Sequence, residues 1–261
     1  LHTVVMPDRT VSVAVTQAEP VWLNLEATVD KTCKLIAQAA SNDAQLIAFP
    51  EVWIPGYPCW ICRARPVDID LNVTYIKNSL RMGSPEMERI QACAQEHGIA
   101  VSLGFSENDN KSLFISNVLI GADGAIKVHR RCKTLSRTYA IESGAFVLHC
   151  TAVISENGVK IWRSAGGALM SSPGGGHSTV FGPDGRSMTA PISETEEGIV
   201  YARLDMDELM VNKMFADCTG HYSRPDLLWL GVSPEIKTVT RWQNEEAVAQ
   251  RPGDASGQNC T

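Results

Sequence analysis

A chain of 261 residues, 44% apolar and 20% charged, can bury one sizeable α/β core or two small ones, and its composition is neither disordered nor membrane-embedded. A net charge of −6, with Lys and Arg scattered rather than clustered, argues against a nucleic-acid partner. No apolar run approaches the ~20 residues of a membrane span, and LHTVVMPDRT lacks the basic flank and apolar core of a signal peptide, so a cytoplasmic protein is expected. A first residue other than Met points to a processed, tagged or partial chain.

The first sixty residues predict a βαβ unit. Residues 11–16 form the strand, Asn24 caps a helix, and Leu25, Val29, Leu35, Ile36 and Ala39 trace its apolar stripe. A second strand, 46–49, runs into Pro50 and Glu51. Ser84 and Pro85 then open a helix that runs to about His97 and stops at Gly98. Strands are expected at 99–103, 113–120 and 126–129, the last two joined through Asp123-Gly124. The glycine-rich run 166–186 lacks the lysine of a phosphate-binding loop and reads as turn chemistry, closing a hairpin at Asp184-Gly185. A strand at 198–204 and a helix at 207–217 follow.

Eight cysteines (33, 59, 62, 93, 132, 150, 218 and 260) read as thiols of an intracellular protein, Cys33 and Cys93 falling on apolar helical faces. Cys59 and Cys62 form a CxxC, but no second CxxC or paired His completes a zinc set. No metal site is expected.

Residues 46–62, LIAFPEVWIPGYPCWIC, carry the chemistry. An apolar strand delivers Glu51 to its lip, where desolvation raises a carboxylate's pKa toward that of a general base. The plainer alternative is an ordinary strand-end glutamate. FPEVWIPGYP closely resembles the first signature of the nitrilase family of carbon-nitrogen hydrolases, whose general-base glutamate follows Phe-Pro. Residues 104–133 resemble the next block, a hairpin ending in His-Arg-Lys-x-Lys. HRRCK places Lys133 at its catalytic lysine, with Arg131 and Cys132 departing from the pattern. GHYSRPDLLWLGV, 220–232, is similar to the family's C-terminal region.

That resemblance implies an α/β fold, the nitrilase-like αββα sandwich, with Glu51 as base and Lys133 stabilising developing charge. It implies no metal or organic cofactor, a small-molecule nitrile as substrate, hydrolysis to carboxylic acid and ammonia, and a homo-oligomer. Trp53, Tyr57, Cys59 and Trp60 are candidate substrate-pocket residues, and their aromatic character points to an aryl or arylaliphatic nitrile.

After Lys133 the pattern breaks. The family's Pro-Thr…Glu-Arg segment, with its second glutamate, and the Cys-Trp-Glu strand end that supplies the nucleophile are both absent, and TLSRTYAIESGAFVLHC resembles a much later block, which implies a helix ending near Gly144 and then a strand. Several central strand-helix units are therefore expected to be missing, roughly 100 residues at about 30 per unit. One domain over 1–241 with an internal deletion after 133, then a disordered tail over 242–261, is the resulting organisation. Two readings stay open: a nitrilase-type hydrolase with its nucleophile segment lost, or an inactive nitrilase-like scaffold. A cyanide hydratase or amidase of the same superfamily is a further alternative. Neither Cys59, Cys132 nor Cys150 stands out as a substitute nucleophile; adjacent strand residues face opposite sides, which sets Cys132 apart from Lys133.

Overall fold

The computed structural model describes residues 9–62, 68–131, 136–167, 169–215, 217, 220, 223–227 and 231. β1 (Thr10–Ala18) is followed by α1 (Leu25–Ala40), where the Asn24 side chain accepts from the Ala27 N–H at 3.0 Å. β2 (Leu46–Ala48) leads through a 3-10 turn, Cys59–Cys62, to α2 (Ile69–Asn78) and α3 (Pro85–Glu96). Ser84 caps α3, Pro85 sits in its first turn, and Gly98 just beyond it takes φ +61°.

A meander follows: β3 (Ala100–Asp109), β4 (Ser112–Ile120) and β5 (Ile126–Arg131). Then come α4 (Ser136–Ser143), β6 (Val147–His149), β7 (Thr151–Ala152), α5 (Glu156–Ile161), β8 (Thr179–Phe181), β9 (Gly198–Asp205) and α6 (Asp207–Phe215). α2 and α5 have no counterpart in the sequence reading. IDLNVTYIKN is rich in residues that disfavour helix, and it is held by Asp68, whose side chain accepts from the Leu71 N–H. β3 extends six residues past the expected end. Its polar half pairs with β4 through a turn in which Asn110 and Lys111 both take positive φ, 51° and 72°.

The seven-stranded sheet runs β5-β4-β3-β2-β1, with β7 and β9 also on β1. β1 pairs in parallel with β2 (Val13 opposite Leu46) and antiparallel with β9 (Val15 opposite Val200). β6 and β8 form a second, two-stranded sheet. Alternation along β1 separates two cores. Ala14 and Ala18 join Ile36, Ile90 and Leu103 beneath α1 and α3, while Val13 and Val15 meet Val180, Val200 and Leu204 against the small sheet. α4 packs on β6 and β8 from outside. The layers are thus helices, large sheet, small sheet, helix: a mixed α/β sandwich, as expected.

The chain divides into two compact units, Leu1–Ser223 and Arg224–Thr261. The nine strands, six α-helices and the 3-10 turn named above all lie in the first. In the second, Arg224 pairs with Asp226 at 2.6 Å. The tail 242–261 lies outside the described residues. Among the described residues no helix is long and apolar enough to cross a membrane, and no group of three His, Cys, Asp or Glu could hold a metal.

Candidate active site

Beyond β2 the chain stays beside β3 but bulges away for three residues. The Phe49 N–H donates to the Ser102 carbonyl at 2.9 Å and the Trp53 N–H to the Gly104 carbonyl at 3.0 Å. Between them the chain leaves the ladder at Pro50, Glu51 and Val52: Pro50 and Val52 stay buried while Glu51 turns outward, and Val52 takes φ +52°, a strained conformation for a β-branched residue. The turn fits because Gly104 lies beneath it: a Cβ there would collide with the Pro50 carbonyl oxygen and come within 3.0 Å of the Glu51 Cα. Glu51 itself is exposed. The desolvated lip expected from the sequence is not what surrounds it: the outward bulge carries the carboxylate away from the apolar strand and into solvent.

The loop after Glu51 is pinned from several sides. Gly56, at φ +109°, donates its N–H to the Val52 carbonyl at 3.1 Å and receives the Tyr75 hydroxyl on its own carbonyl, also at 3.1 Å. Burial pushes the Tyr75 hydroxyl far above its usual pKa, so it stays a donor. A Cβ on Gly56 would strike the Trp22 ring. Trp60 stacks on Trp162 with centroids 4.7 Å apart, and Trp22 and Tyr75 meet this pair edge-on at 5.4 and 5.1 Å. Cys59 is buried here, its Sγ 3.1 Å from the Tyr57 carbonyl oxygen and 2.9 Å from the Met170 Sδ.

The four candidate pocket residues therefore part company. Tyr57, Cys59 and Trp60 belong to or border this aromatic cluster. Trp53 turns the other way, into the core under α1, where its Nε1 donates to the Thr32 Oγ1 at 2.8 Å and its ring packs on Phe49. Lys133 and Cys132 lie outside the described residues, two positions or fewer past the last residue of β5, Arg131.

The sequence profile for carbon-nitrogen hydrolases matches residues 12–134 and 128–211. The chain belongs to the carbon-nitrogen hydrolase family. This hydrolase is 59% identical over 320 aligned positions to an arylacetonitrilase of Hypocrea virens, covering 92% of the chain and 97% of that protein. It is 45% identical to an arylacetonitrilase of Aspergillus kawachii, covering 92% and 96%. Within its family it is a nitrilase-type hydrolase. Its fold is similar to that of the C. elegans NitFhit protein, with TM-score 0.63 at 14% identity over 90% of this chain and 70% of that one. The carbon-nitrogen hydrolase of Helicobacter pylori G27 gives TM-score 0.59 at 15% identity over 80% and 93%.

One buried carboxylate of the hydrolase escaped the sequence reading. Glu107 on β3 is 4% exposed; its Oε2 accepts from the Ser116 hydroxyl at 2.5 Å and faces the His129 Nε2 at 2.8 Å. A carboxylate can only accept, which puts a proton on Nε2. The pair ties β3 to β5 just before the segment that leads to Lys133. The signal was cross-strand, and it was lost when the expected strand stopped at Leu103. Glu107→Ala, which strands both donors, is expected to cost about 2–3 kcal/mol in urea unfolding, and Glu107→Gln clearly less. Equal stability of the alanine variant and the parent would show that the pair holds nothing.

Cys150 of the hydrolase is not poised as a nucleophile. Burial pushes the Cys150 thiol far above its ordinary range, and Cys150 packs in the core between the two sheets.

Proposed function

We propose that this chain carries the base and cation of an aryl-nitrile hydrolase, Glu51 and Lys133, without the thiolate that the reaction needs. The turn held over Gly104 is the observation that carries the reading. Gly104 pairs with Asn117 and Asn117 with Arg130, so one row of the sheet leads from beneath Glu51 to the strand preceding Lys133. Two interstrand spacings make that about 10 Å. The arylacetonitrilase relatives support an aryl-bearing nitrile, and the aromatic cluster beside the Glu51 loop agrees with it.

Nitrile hydrolysis begins with a thiolate adding to the nitrile carbon, a base having taken the thiol proton and a cation steadying the charge that builds on nitrogen. Water then replaces the nitrogen to leave a carboxylic acid and ammonia. The sequence contains no Cys-Trp-Glu. Loss of an internal segment is supported by the two-piece profile match meeting near residues 128–134. It is supported too by the alignment length: 320 positions against about 240 residues, which is 92% of this 261-residue chain, leave about 80 positions opposite gaps. Exposed Met210, Val211 and Met214 on α6 favour a homo-oligomer, and free thiols at Cys33, Cys93 and Cys150 favour a reducing, cytoplasmic setting.

The purified 261-residue chain is expected to release no measurable ammonia from phenylacetonitrile. Steady release that disappears on changing Cys59, Cys132 or Cys150 to Ala would overturn the reading and identify the nucleophile.

A further inference from the structure

α1 and α3 form the helical layer on the large sheet and pack directly on one another. Their contact is fixed at the surface by Arg89 of α3, which bridges Glu26 and Asp30 of α1. One turn along the same seam, two free thiols meet. The Cys93 Sγ reaches across to Cys33, donating to its carbonyl oxygen at 3.6 Å, and neither thiol is bridged. Cys93 is 8% exposed, whereas Cys33 is half-buried and open to a small solute.

We infer that Cys33 and Cys93 form a reversible disulfide clasp between α1 and α3 when the protein meets a peroxide. Helices in contact hold facing Cα atoms within or near the span a disulfide bridges, so little backbone movement is required. The chemistry balances in two steps. The half-exposed Cys33 thiol attacks one peroxide oxygen, breaking the O–O bond to give a sulfenic acid and one water. The Cys93 sulfur then attacks the sulfenic sulfur, the S–S bond forms, and the hydroxyl leaves as a second water. Two thiols have lost two electrons and two protons to one peroxide.

Burial pushes both thiols above their ordinary pKa, Cys93 to about 12, so thiolate is scarce near neutral pH and the clasp closes slowly, under sustained exposure rather than a brief pulse. The segment enclosed, 33–93, contains the whole Glu51 loop. Closing it restricts the unfolded chain and tightens the frame that holds that loop.

The test uses the full chain as it stands. The reduced protein is held in millimolar hydrogen peroxide, free thiols are trapped with iodoacetamide, and the peptides are mapped by mass spectrometry. A Cys33–Cys93 linked peptide lighter by two hydrogens is expected, with Tm raised by roughly 5 °C or more and both changes reversed by dithiothreitol. Cys33→Ser and Cys93→Ala should each abolish the linked peptide and the Tm rise. Recovery of Cys33 and Cys93 both alkylated after exposure, or of Cys33 as a sulfinic acid beside a free Cys93, would overturn the clasp. The map of the unsubstituted chain decides the matter even if a variant fails to fold.

Discussion

Gly104→Ala is expected to unseat the Glu51 turn and to destabilise the protein by about 3 kcal/mol, at the upper end of the range for forcing one extra carbon into a packed site. The added Cβ collides with the Pro50 carbonyl oxygen and crowds the Glu51 Cα, both backbone atoms that cannot swing aside. Relief has to come from parting the two segments, which weakens the flanking bonds from Phe49 to Ser102 and from Trp53 to Gly104. Gly98→Ala is the informative comparison. Gly98 takes φ +61° with open space around its missing side chain, so its substitution costs only backbone strain, about 1 kcal/mol. The order of the two variants therefore separates close approach from dihedral preference. In a thermal melt Gly104→Ala should fall by roughly 5–10 °C. A Gly104→Ala protein that melts with the parent would mean that Glu51 is not held by this contact.

Elements whose signals are local were legible in the sequence. Asn24 and Ser84 announce helix starts by their own capping chemistry, and Asp123-Gly124 closes its hairpin where Gly124 takes φ +75°. The Glu51 loop was legible because its Pro and Gly residues stand at fixed positions around the carboxylate. What stayed hidden depends on partners distant in sequence. The polar half of β3, Ser106 to Asp109, reads as loop by composition and becomes strand by pairing with Ser112 to Ile115. Glu107 is buried by Ser116 and His129, nine and twenty-two positions away. Solvent around Glu51 was hidden for a similar reason: a strand-end residue is buried or exposed according to what covers it, and its own neighbours do not say. Trp53 and Trp60, seven positions apart in one motif, enter different cores because the Val52–Gly56 turn reverses the face presented.

Trp162→Ala is expected to cost about 4 kcal/mol, the largest single loss from the aromatic cluster. Trp162 is fully buried at the C-terminal cap of α5, stacked on Trp60 and within 6.2 Å, centroid to centroid, of Tyr75. Truncation opens a cavity that two flat neighbours, each anchored elsewhere, cannot close: the Tyr75 hydroxyl is tied to Gly56, and the Trp22 Nε1 to Glu19 at 2.5 Å. Trp162→Phe is predicted to behave very differently. The indole Nε1 of Trp162 has no hydrogen-bond partner among the described residues, and a buried unpaired donor carries a penalty of about 1–3 kcal/mol. Phenylalanine keeps a stacking ring over Trp60 and removes that donor, so the smaller cavity and the relieved penalty oppose each other and the net loss should be about 1 kcal/mol or less. Urea unfolding of both variants measures the difference, and near-UV circular dichroism reports whether the stacked pair survives. Alanine and phenylalanine variants of equal stability would show that the ring does not hold the Trp60 end of the Glu51 loop against α5.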